Sequence, residues 1–304
     1  MTAVALVGVT ASGKSDVALD LARARRDCEI VSVDSMCVYR GMDIGTSKPG
    51  AAARAAVPHH LLDLVEPDEE FAVTQFQQAA RKALLGIEQR GHHALLVGGT
   101  GLYLRAVVDD LSIPGRYPDV AASLEAELDE GRVAPADLHA RLAELDPVGA
   151  DRMASTNRRR VVRALEVTLG AGRPFSEFGP GLEAYPASGI PQVGLAHAPD
   201  EVDRRIELRF AGMVEAGLVA EVRRLAARPQ GISRTARQAL GYREVLAHVE
   251  EGAALGECLA EAIQRTRQFA RRQASWFRRD PRITWAATPA EAAGLLEQAL
   301  DVHG

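Results

Sequence analysis

The chain has 304 residues, 47% hydrophobic and 25% charged, enough for one sizeable core or two smaller ones and ordinary for a globular enzyme. No run of about 18 apolar residues occurs, which excludes a spanning helix. Cys28, Cys37 and Cys258 are isolated and odd in number, which argues against a disulfide framework or a zinc site, and the net charge of −5 weighs weakly against a nucleic-acid partner.

Ala3–Val9 is a short apolar run that ends in a Gly-rich loop, with no basic segment before it. A buried strand is therefore expected there, not a signal peptide, and a cytoplasmic location with it. A helix is expected from Gly13 to about Arg25, then a strand over Glu29–Asp34, an amphipathic helix over Val73–Arg90 and a strand over Ala94–Gly98. Two more strands are read at Pro191–His197 and Arg282–Ala286. Short apolar strands separated by amphipathic helices predict an α/β fold with a P-loop-type parallel sheet flanked by helices, its crevice at the strands' carboxyl ends.

Between residues 112 and 189 strand signals vanish. Helical segments (Asp119–Glu130, Pro135–Leu145, Asn157–Leu169) are separated by Pro and Gly breaks, and Arg173–Ile190 reads as a return connection. An all-helical insertion over 112–189 is expected within a core of 1–111 and 190–304.

Charge is segregated along the chain. Asp109 to Asp151 is strongly acidic, whereas Arg158, Arg159, Arg160 and Arg163 form one basic cluster and Arg265–Arg282 another that includes Arg271. Such patches suit a phosphate backbone despite the negative total; solvated helix faces would look the same.

Gly8-Val9-Thr10-Ala11-Ser12-Gly13-Lys14-Ser15 matches G-x-x-x-x-G-K-[ST] in full, after an expected strand and opening an expected helix. The glycines let backbone N–H groups converge on phosphate oxygens, and the helix aims its positive end at them. Lys14 adds a mobile charge, and the Ser15 hydroxyl can take a Mg²⁺ position. An NTPase usually carries an acid at the tip of a second apolar strand. Ala94–Gly98 runs instead into Gly-Gly-Thr-Gly, and the acid, Asp34, ends a different strand. It is placed for proton abstraction, for metal ligation or for capping the N-terminus of a helix.

GVTASGKS, VSVDSMCVYRGMDIGTSKP (Val31–Pro49), PHHLLD (Pro58–Asp63), LLVGGTGLY (Leu95–Tyr103), RRVVRALEV (Arg159–Val167), RIELRF (Arg205–Phe210), RQALGYRE (Arg237–Glu244) and RQFARRQASWFR (Arg267–Arg278) follow one another in this order. Together they resemble the tRNA dimethylallyltransferase family, also called tRNA isopentenyltransferase, over nearly the whole chain. The resemblance implies transfer of the dimethylallyl group of dimethylallyl diphosphate to N6 of the adenosine just 3′ of the anticodon, with Mg²⁺ and release of diphosphate. It implies that Asp34 is the base, that Thr10 and Arg209 contact the diphosphate, and that Gly8 and Ala11–Ser15 cradle it. It further implies RNA contacts at Ser35, Met36, Cys37, Thr100, Arg237, Gln238, Gly241 and Tyr242, with Arg158, Arg160, Arg163 and Arg271 gripping phosphates; relatives commonly carry Gln where this chain has Cys37. The insertion matches the family's mobile domain around the anticodon stem-loop, and a monomer without an appended zinc finger is expected. Trp276 and Phe277 are expected in the core. A small-molecule kinase with ATP in the loop, and a non-catalytic RNA-binding protein using the loop as a clamp, share the phosphate motif. The first leaves the Arg-rich segments unexplained, and intact Gly13, Lys14, Ser15 and Asp34 argue against the second.

Overall fold

β1 (Ala3–Val7, AVALV) is buried along its whole length, as a strand covered on both faces must be. It belongs to a computed structural model of the protein that describes residues 2–302; residues 1, 303 and 304, at the outer limits of the expected core segments, lie outside the described residues. The chain continues through α1 (Lys14–Ala24), β2 (Cys28–Val33), α2 (Ala51–Ala56), β3 (His59–His60), α3 (Val73–Gln89), β4 (His93–Gly98) and α4 (Gly101–Val108). After a helical excursion of α5 (Pro118–Asp129), α6 (Pro135–Leu145), α7 (Pro147–Asp151) and α8 (Arg158–Ala171), it returns as β5 (Gln192–Leu195). Then come α9 (Pro199–Glu215), α10 (Leu218–Ala226), α11 (Arg234–Arg237), α12 (Tyr242–Glu251), α13 (Leu255–Arg278), β6 (Ile283–Ala286) and α14 (Pro289–Val302).

The strands form one sheet in the order β3-β2-β4-β1-β5-β6, and every pair is parallel. From β1 the chain moves to one side, into β2, and later crosses to the other, into β5. That reversal opens a crevice at the carboxyl ends of the central strands. Alternation sorts the side chains. Ala3, Ala5, Val7, Val31 and Val33 pack on one face against α3, α4, α9, α12 and α13. Val4, Leu6, Ile30 and Leu95 pack on the other against α1 and α14. The expected α/β architecture with a parallel sheet is the one observed. Among the described residues, no helix is long and apolar enough to cross a membrane.

Two compact units divide the chain: one runs to Asp109 and resumes at Ala187, the other is Asp110–Pro186. The second has its own core of Leu124, Leu138, Leu142, Val161 and Leu165. Its return segment is pinned by the Asp146 carboxylate, which accepts from the Ser176 N–H (2.8 Å) and hydroxyl (2.6 Å). The division has a local reason at each end. Asp109 is tied to the sheet unit by Arg105 and by Arg282, whose Nη1 donates to Oδ1 at 2.5 Å. Ser188 Oγ donates to the Val108 carbonyl at 3.1 Å.

Smaller differences also have local causes. β1 stops at Val7, short of the expected Val9, because Gly8 begins the loop. Gly101–Val108 is helical although Gly98 and Gly99 precede it and Gly101 opens it, with Thr100 at the N-cap position. β3 is only two residues long and carries no strand pattern.

Candidate active site

One register relation organises the site. Gly98 of β4 is the partner of Val7 in β1 on one side and of Val33 in β2 on the other. The residues that follow these three, Gly8, Asp34 and Gly99, therefore emerge side by side at one edge. Two inter-strand spacings set the Gly8–Asp34 separation at roughly 10 Å. Gly98 is what permits the approach, since a Cβ there would lie 2.0 Å from the Val33 carbonyl oxygen.

The loop after β1 turns on Ala11 (φ 60°) and Gly13 (φ 85°), and Gly13 caps α1 in the left-handed conformation. Its floor is fixed from below: His197 Nε2 lies 2.7 Å from the Ser12 carbonyl, and a Cβ on Gly8 would meet the Leu195 carbonyl at 3.1 Å. Lys14 is buried and folded back, its Nζ donating to the Val9 carbonyl (2.6 Å) and the Ser12 hydroxyl (3.2 Å). Burial, helped by the Arg209 guanidinium and opposed by Asp34, lowers its pKa to about 7. Ser15 is exposed in the first turn of α1.

Arg209 reaches the loop from α9, and its Nη1 donates to Thr10 Oγ1 at 2.9 Å. Burial disfavours its charge and Asp34 favours it. The basic groups of Lys14 and Arg209 thus converge on the loop at the N-terminus of α1, which is the electrostatics of a phosphate site.

Asp34 is half-buried, and its Oδ1 accepts from the Met36 (2.7 Å) and Cys37 (3.3 Å) N–H groups. No helix follows, so the carboxylate braces a tight turn. Thr100 Oγ1 accepts from the Ser35 N–H at 3.3 Å, joining the turn after β4 to the turn after β2. Ser35 and Met36 are partly exposed. Cys37 is not: its thiol is buried over the Thr46 carbonyl (3.9 Å), and burial pushes its pKa up.

The other expected RNA-contact positions divide by exposure. Arg160 and Gln238 are exposed, whereas Arg158 is paired with Glu125 and Asp129, Arg163 with Glu166, Arg237 with Glu250 and Arg271 with Asp203. The pairs of Arg158, Arg237 and Arg271 are partly or largely exposed and worth about 0–1 kcal/mol each, whereas Glu166 is buried and also accepts from the Tyr117 N–H, so Arg163 is held in its own unit. Gly241 (φ 85°) caps α12 with its Cα against the Phe210 ring. Tyr242 is 1% exposed, and its hydroxyl donates to Glu221 Oε1 at 2.5 Å. That side chain serves the scaffold and offers no surface to RNA.

Three residues that sequence reading did not single out hold the site together. Glu221, 1% exposed, accepts from the backbone N–H groups of Asp43, Ile44 and Gly45 as well as from Tyr242. Lys48 is buried among Asp63 (2.6 Å), Asp43 (3.0 Å) and the Tyr39 carbonyl. Together they fix the long segment after Asp34. Gln273 of α13 accepts from the Thr10 N–H and donates to the Gly99 carbonyl, both at 2.8 Å. Lys48 and Gln273 lie inside the family-like motifs, but nothing local marks Glu221. Phe277 is in the core as expected, and Trp276 packs on Gly101, where a Cβ would lie 2.1 Å from its Nε1.

Comparison with known proteins identifies the family. The sequence model of the family described as IPP transferase matches residues 37–280. A tRNA dimethylallyltransferase of Kineococcus radiotolerans is 48% identical over 291 residues, covering 94% of this chain and 90% of that protein. A solved structure of a full-length tRNA isopentenylpyrophosphate transferase from Bacillus halodurans is 33% identical, with a TM-score of 0.70 and coverage of 99% and 97%. A eukaryotic dimethylallyltransferase acting on tRNA shares the fold, with a TM-score of 0.77 at 24% identity over 99% of this chain and 79% of the other. With a family match over most of its length and relatives of this identity end to end, the chain belongs to the IPP transferase family.

Proposed function

We propose that this enzyme transfers the dimethylallyl group from dimethylallyl diphosphate to N6 of the adenosine 3′-adjacent to the anticodon in tRNA, releasing diphosphate. The observation that carries the reading is the shared register of Val7 and Val33 on Gly98, which sets a phosphate-binding loop and a carboxylate on one edge about two strand spacings apart. A kinase loop would instead have its acid beside the phosphates, at the tip of β4, where this chain has Gly99 and Thr100.

In this reading the loop Gly8–Ser15 holds the diphosphate, with Thr10 and Arg209 on its oxygens and Lys14 swinging from Val9 and Ser12 to join them. As the C1–O bond breaks, charge grows on the leaving diphosphate, and these cations and N–H groups stabilise it. The adenine amine is a weak nucleophile because its lone pair is delocalised into the ring. Asp34 accepts the N6 proton as the N6–C1 bond forms. The base must leave the anticodon-loop stack to reach it, and Ser35, Met36 and Thr100 border that position.

Mg²⁺ fits the residues present: the Ser15 hydroxyl is exposed at the mouth of the loop and is a hard oxygen donor. Among the described residues, no group of three or more His, Cys, Asp or Glu is placed to hold a metal, so Ser15 and the diphosphate oxygens would be its ligands. Bound there, the ion would neutralise part of the leaving group's charge. In the helical unit, Arg158–Arg160 occupy the first turn of α8, where the helix dipole disfavours cations. An RNA phosphate arriving at that turn would relieve the conflict. All the residues invoked belong to one chain, so the reading asks for no partner subunit, and a tRNA substrate suits a cytoplasmic enzyme.

The test uses purified protein, labelled dimethylallyl diphosphate or ATP, and unmodified tRNA with adenosine following the anticodon. Prenyl label on that adenosine is expected. Movement of the ATP γ-phosphate would establish the kinase instead, and tight RNA binding with neither transfer would establish a clamp.

A further inference from the structure

Gln273 sits on α13, far in sequence from its two hydrogen-bond partners, with only 6% of its surface exposed. Its Oε1 accepts from the Thr10 N–H and its Nε2 donates to the Gly99 carbonyl, each at 2.8 Å. The flipped amide would face its NH₂ to an N–H and its oxygen to a carbonyl, two repulsions, so the orientation is unique. Gly99 is part of the seat: a Cβ there would lie 2.4 Å from Nε2.

Each of the two contacts leads on to one half of the site. Thr10 carries its hydroxyl to Arg209 (2.9 Å) on the diphosphate side. Gly99 precedes Thr100, whose hydroxyl takes the Ser35 N–H (3.3 Å) beside Asp34. The Thr10 N–H is committed to Gln273, so that residue faces the diphosphate through its hydroxyl alone.

We propose that Gln273 is a positioning residue whose single amide clamps the loop after β1 to the turn after β4, setting the span between the diphosphate and the base that accepts the prenyl group. The inference rests on the prenyl-transfer reading above. The role requires donating and accepting at once across a fixed width. A methionine of similar length does neither, and an asparagine, one methylene shorter, cannot span both partners. An error of about 1 Å between reacting groups suffices to lose on the order of 10²-fold in rate. Loosening the clamp leaves the cations of the loop in place but lets the donor's C1 drift from N6, so water competes for the prenyl group.

The experiment compares full-length wild type, Q273M and Q273N for kcat, for KM of tRNA and of dimethylallyl diphosphate, and for the ratio of prenyl transferred to RNA against donor hydrolysed. That ratio does not depend on how much of the protein is folded. Expected are a fall in kcat of about 10²-fold, KM values within about threefold, and a transfer-to-hydrolysis ratio reduced at least tenfold in both variants. Should Q273M not melt cooperatively, Q273N carries the same comparison. A lowered melting temperature with the wild-type ratio and kcat retained would reduce Gln273 to a structural residue and overturn the proposal. Absence of prenyl transfer by the wild type itself would remove the prenyl-transfer reading, and the positioning role with it.

Discussion

Diphosphate binding should take up a proton, and Lys14 should be the reason. Its ammonium is buried beside Arg209, with a pKa lowered to about 7 from an ordinary 10.5. At pH 8 such a group is only about one-tenth charged. A bound diphosphate restores the favourable partner, returning the pKa to its ordinary range or above, so the complex holds this proton fully. The uptake is then about 0.9 proton at pH 8, about 0.5 at pH 7 and about 0.1 at pH 6. The sign follows: above pH 7 the complex binds more protons than the free enzyme, so affinity falls as pH rises. The penalty at pH 8, relative to low pH, is about 1.4 kcal/mol, or tenfold in Kd. Calorimetric titration of inorganic pyrophosphate at pH 6, 7 and 8, in buffers of different ionisation enthalpy, reads the uptake directly. Pyrophosphate has protonation steps of its own, so Lys14→Met supplies the reference. Equal uptake by wild type and Lys14→Met at pH 8 would refute the argument.

Asp34→Ala is expected to lose about 10²-fold or more in kcat while pyrophosphate affinity changes only a few-fold; full activity would remove Asp34 as the base. Arg160→Glu should weaken tRNA binding and reduce the log–log salt slope by about 1, measured by filter binding between 50 and 200 mM salt on the order used for such slopes. An unchanged slope would place Arg160 off the RNA. Glu221→Ala strips the acceptor from three backbone N–H groups and the Tyr242 hydroxyl, and should cost about 3–5 kcal/mol in urea unfolding. A loss under about 1 kcal/mol would show that the segment after Asp34 has other support.

What the sequence revealed depended on how local the determining physics was. The phosphate loop is dictated within eight residues by glycine freedom and a following helix, and it was readable as it stands. β1 and residues 94–97 of β4 carry their burial in unbroken apolar runs, and β2 was readable from its β-branched Ile30, Val31 and Val33 despite Glu29 and Ser32. β3 was not, because two histidines pair with β2 in a stretch too short to show any period. α4 was hidden by the glycines before it and at its first position, which serve close approach to Val33, Gln273 and Trp276 more than they break a helix. Gln273 lies 263 residues from Thr10, and Glu221 lies 178 from Asp43. No periodicity could join such partners. Tyr242 and Cys37 teach the converse: a motif marks a position as important without saying whether its side chain faces a ligand or the interior.

The helical excursion has a topological consequence of its own. The sheet unit's chain leaves after Asp109 and is back at Ala187, and a hydrogen bond joins Val108 to Ser188 just inside those limits. Seen from the sheet, everything between is a closed loop whose length enters its stability only logarithmically, about 0.6 kcal/mol per doubling. The helical unit is therefore free to lengthen, shorten or be rebuilt over evolutionary time. Thr10, Asp34, Thr100, Arg209 and Gln273 would all keep their places while it did so.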